Sequence, residues 1–146
     1  MYKVRLACLE DVDAIWNMGK NVNEFETASE VVYFWPREIL KECIDKKDVI
    51  MLVAEAENEI VGFIIVNVNL SLKKSEIENI YVLDSFRNQK IGSQLVTEVI
   101  KESKKIGVEN ICFLSSKDHS FWEKNGFLLG EDFKWMDLIL TDRFKK

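Results

Sequence analysis

Hydrophobic positions recur along the chain with two periods, near two and near 3.6, and the switches between them mark out the expected elements. Tyr2 to Ala7 reads as a strand. Val12, Ile15, Trp16 and Gly19 then share one helical face, entered through Glu10 and Asp11, acids that suit a helix N-terminus. Pro36 fits the first turn of a second helix that carries Ile39, Leu40, Cys43 and Ile44 inward. Val49 to Ala56 and Glu59 to Leu70 are expected strands joined by a tight Glu57-Asn58 turn, and Glu76 to Leu83 is another. Gly92 to Lys105 follows as a helix with Leu95, Val96, Val99 and Ile100 inward and Gly107 just past its end. Asn110 to Ser115 is expected as a strand and Asp118 to Lys124 as a short helix. Phe127 to Glu131 and Trp135 to Leu140 are expected to close the fold as a pair of strands.

Hairpin strands followed by a single crossover helix imply an α/β fold, with a mixed sheet and helices on both faces. Several α/β folds share that order. At 146 residues the chain fits one domain, residues 1–146, long enough to bury a core. A hydrophobic share of 47% beside 31% charged residues is that of a soluble globular protein. The longest apolar run, Ile60 to Val66, is far short of the roughly 20 residues of a membrane span, and no leader pattern follows Lys3 and Arg5. The expected location is therefore cytoplasmic.

A net charge of −5 argues against nucleic acid as the main partner. Lys101, Lys104 and Lys105 fit a solvated helix C-terminus better than a phosphate track. Cys8, Cys43 and Cys112 have neither metal-ligand spacing nor the look of a disulfide framework, and Cys8 and Cys112 read as buried hydrophobes. His119 is the one histidine, so a histidine-based zinc site is not expected; it reads as an exposed residue.

Candidate chemistry concentrates between Glu76 and Ser93. A strand ends at Leu83, a polar turn follows, and Arg87 to Ser93 leads into a helix. Amides at such a start lack intrahelical acceptors and carry partial positive charge, which suits a pyrophosphate. Arg87 and Lys90 would add charge, and Gly92 would let the backbone approach closely. Read alone, this fits a plain strand-to-helix turn equally well. Neither GxGxxG nor GxxxxGK[ST] occurs, so no dinucleotide fingerprint or P-loop is supported.

The segment Arg87-Asn88-Gln89-Lys90-Ile91-Gly92 resembles the acyl-CoA motif of the Gcn5-related N-acetyltransferase (GNAT) superfamily, written Arg/Gln-x-x-Gly-x-Gly/Ala after a strand. Val4 to Ile15 is similar to the family's first strand and helix, Ile60 to Phe63 to its third strand, and Phe121 to Phe127 to its fourth-helix motif. The resemblance implies a sheet of six or seven strands, splayed between strands four and five, that binds acetyl-CoA with no metal. It implies main-chain contacts to pantetheine at Ile80, Tyr81 and Val82, and amides from Asn88 through Gln89, Lys90, Ile91 and Gly92 to Ser93 around the pyrophosphate. Ser115 at the end of strand five and Trp122 join that cofactor-binding set. Glu76 and Glu78 are the candidate bases, expected on one face of strand four by their period-2 spacing. Glu24, Glu26 and Glu30, alongside Tyr33, Phe34 and Trp35, fall in the segment that covers the acceptor site in relatives. An acidic, aromatic pocket there would suit a cationic amine, although a solvated acidic face over core aromatics fits the same residues.

The chain departs from the family pattern twice. Lys90 replaces the first motif glycine, which a lysine in right-handed helical conformation would tolerate. Trp122 replaces the tyrosine that usually serves as the acid, and an indole cannot deliver a proton at neutral pH. The favoured expectation is a transferase moving acetyl from acetyl-CoA to a primary amine of a small molecule or peptide. The alternatives are a non-catalytic acyl-CoA-binding module and an unrelated α/β domain. Whether the chain is a monomer or a homodimer is left open.

Overall fold

The computed structural model describes residues 1–27, 29–114, 119–132 and 134–146. Its sheet has the order β1-β2-β3-β4-β5, with β1 Tyr2–Leu6, β2 Val49–Ala56, β3 Glu59–Asn69, β4 Lys74–Val82 and β5 Asn110–Phe113. Every pair is antiparallel except β4 and β5, which run parallel across a helical crossover. The helices are α1 Val12–Gly19, α2 Arg37–Cys43, α3 Ile91–Lys105 and α4 His119–Lys124.

Central strands β2 and β3 are buried along most of their length because both sheet faces are covered. On one face Leu52, Ile64, Val66 and Ile77 pack with Leu95, Val96 and Val99 of α3 and Trp122 of α4. On the other, Met51, Val53, Phe63 and Ile65 meet Val12 and Ile15 of α1 and Leu40 of α2. Glu57 and Asn58 both take positive φ (52° and 65°), the turn form whose twist matches a two-residue hairpin. Helix α3 ends as its sequence suggests: Gly107 is left-handed at φ 84°, and the Val108 amide donates to the Ser103 carbonyl at 3.0 Å.

Three expectations are corrected. Among the described residues no strand spans 127–131 or 135–140; the only pairing near this end is an isolated bridge between Val31 and Lys145. Strand-forming residues make a strand only where a partner edge is in reach, and Leu128, Met136, Leu138 and Leu140 are instead exposed. The sheet therefore has five strands. Cys8 is exposed rather than buried, its thiol 3.2 Å from Asp11 Oδ2. Pro36 stands just outside α2, as the residue capping it.

Candidate active site

The parallel pairing of β4 and β5 runs from Lys74 opposite Asn110 to Ile77 opposite Phe113 and stops there. β4 continues to Val82, so among the described residues no strand lies on its β5 side from Glu78 onward. The divergence coincides with a bulge: Ile65 of β3 faces Asn79 and Val66 faces Ile77, leaving Glu78 without a partner. The bulge breaks the period-2 alternation between Ile77 and Asn79, while Glu76 and Glu78 line one cleft. Ile77 stays on the α3 face, whereas Asn79 turns to the face covered by α1 and α2. Glu76 is exposed and Glu78 half-buried. Burial first, and the neighbouring Glu76 charge second, push the Glu78 carboxyl above its ordinary range.

The turn before α3 presents a run of free donors. Among the described residues, no acceptor meets the amides of Asn88, Gln89, Lys90, Ile91, Gly92 or Ser93; bonding resumes with the Gln94 amide on the Lys90 carbonyl, 3.0 Å away. Asn88 and Lys90 are left-handed (φ 62° and 65°) on either side of Gln89, the alternation that gathers successive N–H groups into an anion-binding concavity. Lys90 is thus not right-handed, as expected from its place at a helix start. Arg87 is not free either. Its Nε donates to the Val82 carbonyl at 3.1 Å, its Nη2 lies 3.2 Å from Asp84 Oδ1, and its guanidinium sits over the Tyr81 ring. Gly92 has its reason in packing: a Cβ there would come within 3.3 Å of the Phe121 ring of α4.

The opposite wall is the segment between α1 and α2. Phe25 stacks on Phe34 (centroids 5.8 Å apart), and both pack against Phe63 of β3. Trp35 Nε1 donates to Asn79 Oδ1 at 2.8 Å. Glu26 is ion-paired with Lys146 at 3.0 Å, and the Tyr33 hydroxyl donates to the Lys20 carbonyl at 2.6 Å. One cleft is lined by Glu24, Glu26, Tyr33, Glu76, Glu78, the strand residues 80–82 and the turn residues except Gln89. Half-buried His119, expected to be exposed, also lines it. Ser115 lies outside the described residues. Among these residues no group of His, Cys, Asp and Glu could hold a metal ion, and no helix is long and apolar enough to cross a membrane.

A sequence model of the acetyltransferase (GNAT) family matches residues 11–127. The chain belongs to the GNAT family. A spermidine N(1)-acetyltransferase of Thermoplasma acidophilum is 26% identical, with 98% of each chain covered. Among solved structures, a transcriptional regulator from Bacillus halodurans superposes with a TM-score of 0.77 at 25% identity, covering 94% of this chain and 100% of that one. The PaiA N-acetyltransferase of Thermoplasma acidophilum in complex with coenzyme A gives 0.73 at 22% identity, over 92% and 94%. The fold is the GNAT fold, and the protein is an acetyl-CoA-dependent N-acetyltransferase.

Within that family frame, Trp122 is a core residue as much as a cleft residue. It is 8% exposed, with its ring centroid 4.1 Å from that of Phe113 and 5.1 Å from those of Phe121 and Phe127. Sequence reasoning placed Trp35 in the acceptor segment but missed Asn79 and Asn125. The last donates from Nδ2 to the Phe121 carbonyl at 2.9 Å and reaches Ser93 Oγ at 3.4 Å, bracing α4 against the turn. No local pattern singles out Asn79, which follows Glu76 and Glu78 in a strand that already carries polar residues.

Proposed function

We propose that this GNAT protein acetylates a primary amine on a cationic, polyamine-like acceptor, with the 88–93 turn holding the pyrophosphate of acetyl-CoA and Glu78 serving as the base. The observation that carries the reading is the raised Glu78 carboxyl on the β4 bulge, beside Glu76 and at the point where β4 and β5 part. A base whose pKa moves up toward neutrality is better matched to deprotonating an amine. Carboxylates of Glu24, Glu76 and Glu78 line the same cleft as Lys90 and most of the free amides, so the cleft offers a cation and a polyphosphate each a charge that suits it. The spermidine acetyltransferase among its relatives supports the same acceptor class.

In this mechanism the acceptor loses its ammonium proton to the Glu78 carboxylate. The amine lone pair then attacks the thioester carbon, the adduct nitrogen gives up its second proton to solvent, and the tetrahedral adduct collapses to the neutral amide by breaking the C–S bond. The thiolate, with a thiol pKa of about 8.5, departs without a protein acid and takes its proton from solvent. Trp122 packs the cleft floor and excludes water. The unpaired β4 edge at Ile80 and Tyr81 supports pantetheine as an added strand would be supported. At Val82 the carbonyl is already engaged by Arg87.

A thiol-release assay with acetyl-CoA across polyamines, aminoglycosides and peptide amines tests the proposal. Turnover led by polyamines is expected, falling about 10²–10⁴-fold in Glu78→Gln. A preference for neutral or anionic amines, or full activity in Glu78→Gln, would overturn it.

A further inference from the structure

We infer that Asn79 is a positioning residue of the acceptor site, clamping the wall between α1 and α2 onto β4 through Trp35. The inference rests on the acetyl-transfer reading above and assigns the acceptor side of the same cleft. An indole N–H can only donate, so the Asn79 atom 2.8 Å from Trp35 Nε1 must be the amide oxygen, which fixes the orientation of the whole side chain. Asn79 is 7% exposed, two residues beyond buried Ile77 in the same strand. A buried amide replaces its lost hydration only where it bonds, and among the described residues Trp35 is its partner. The bond joins residues 44 apart in sequence and reaches β4 one residue beyond bulged Glu78. Because the bulge reverses the side on which Asn79 emerges, the same irregularity that frees Glu78 from its partner also aims Asn79 at the acceptor wall. Among the described residues, the wall's other polar ties include those to Lys20, Phe144 and Lys146 and none to the sheet, which it otherwise meets by packing of Phe34 and Phe25 on Phe63. Rings can slide on rings, whereas one directed hydrogen bond fixes the register of the wall against the strand.

The test is a double-mutant cycle of Trp35→Phe, which keeps the ring bulk but loses the donor, and Asn79→Ala, which loses the acceptor. Steady-state kinetics with a polyamine are run beside hydrogen exchange over residues 29–36. Each single variant should raise KM for the amine about tenfold, equivalent to about 1.4 kcal/mol, with KM for acetyl-CoA held within twofold. Exchange in 29–36 should accelerate in both, and the double variant should be little worse than either single one, since both remove the same bond. Turnover with amine KM unchanged in both single variants, or strictly additive effects, overturns the clamp and leaves acetyl transfer standing. Absence of turnover with every amine in the parental protein overturns the acetyl-transfer reading and the acceptor role with it. Loss of acetyl-CoA affinity in parallel with amine affinity would mean that the pair supports the fold generally, and also counts against the inference.

Discussion

Lys90 stands where GNAT relatives place glycine, and its φ of 65° explains the preference: the turn needs a left-handed residue there. A side chain in that region costs roughly 1–2 kcal/mol. Lys90→Gly should therefore raise stability by about 1 kcal/mol in denaturant unfolding without ligand, while Lys90→Ala, which keeps a Cβ, should not. Equal stability of the Gly and Ala variants would show that the strain is relieved elsewhere. Glu78 gives a second prediction at this scale. Its carboxyl is raised in the folded chain, so the stability it lends is complete below the ordinary carboxyl range and is lost as pH rises through the folded value. At neutral pH Glu78→Gln should thus stabilise the fold while abolishing most activity. In the pH profile of kcat/KM, Glu76→Gln should move the acid limb to lower pH, because it removes a like charge. An unmoved limb would assign the base to another group.

At the scale of elements, the α1 helix illustrates two effects of opposite sign. Gly19 lies in the helix, where alanine would ordinarily gain about 1 kcal/mol. A Cβ on Gly19, however, would overlap the Phe34 ring. Gly19→Ala should accordingly be destabilising by about 1–3 kcal/mol, the usual cost of overpacking, and should raise KM for the amine by unseating the acceptor wall. A gain in melting temperature would contradict this. Just before α1, Asp11 holds the strand-to-helix junction with Arg5 Nη1 and Nη2 at 2.7 and 2.9 Å and the Cys8 amide at 2.8 Å. Burial alone would raise its carboxyl; the Arg5 and Cys8 bonds outweigh burial and hold it low. Its contribution is present above the ordinary carboxylate range and fades as pH falls through the folded value, so Asp11→Asn should remove it and flatten the acid limb of stability. These elements also show what could be read from sequence. β2, β3, α1 and α3 follow local periodicity and recognisable turn residues, and all were legible. The closing strands were not, because 127–140 has strand composition but no ladder partner among the described residues. Nor was the Trp35–Asn79 bond legible, since it depends on a bulge that no local pattern announces.

Across the whole molecule, charge decides how a protein with a net charge of −5 can favour a polyanionic ligand. The answer has to be local, since exposed charges separated by more than about 8 Å are largely screened at physiological salt. Among the described residues, five of the six turn residues with free amides, Lys90 among them, line the cleft, and backbone donors keep their partial charge at any pH. Coenzyme A at 100 times its dissociation constant should therefore stabilise the fold by about 2.7 kcal/mol, a rise of roughly 5–10 °C in melting temperature for a chain of this size. The rise should shrink as salt is added at fixed ligand concentration, because the ammonium contribution is screened while the short amide contacts are not. In Lys90→Ala the rise at low salt should be smaller and its dependence on salt weaker. Dependence on salt identical to the parental protein would remove Lys90 from the phosphate site, and no thermal shift with saturating coenzyme A would remove the 88–93 turn as its cradle.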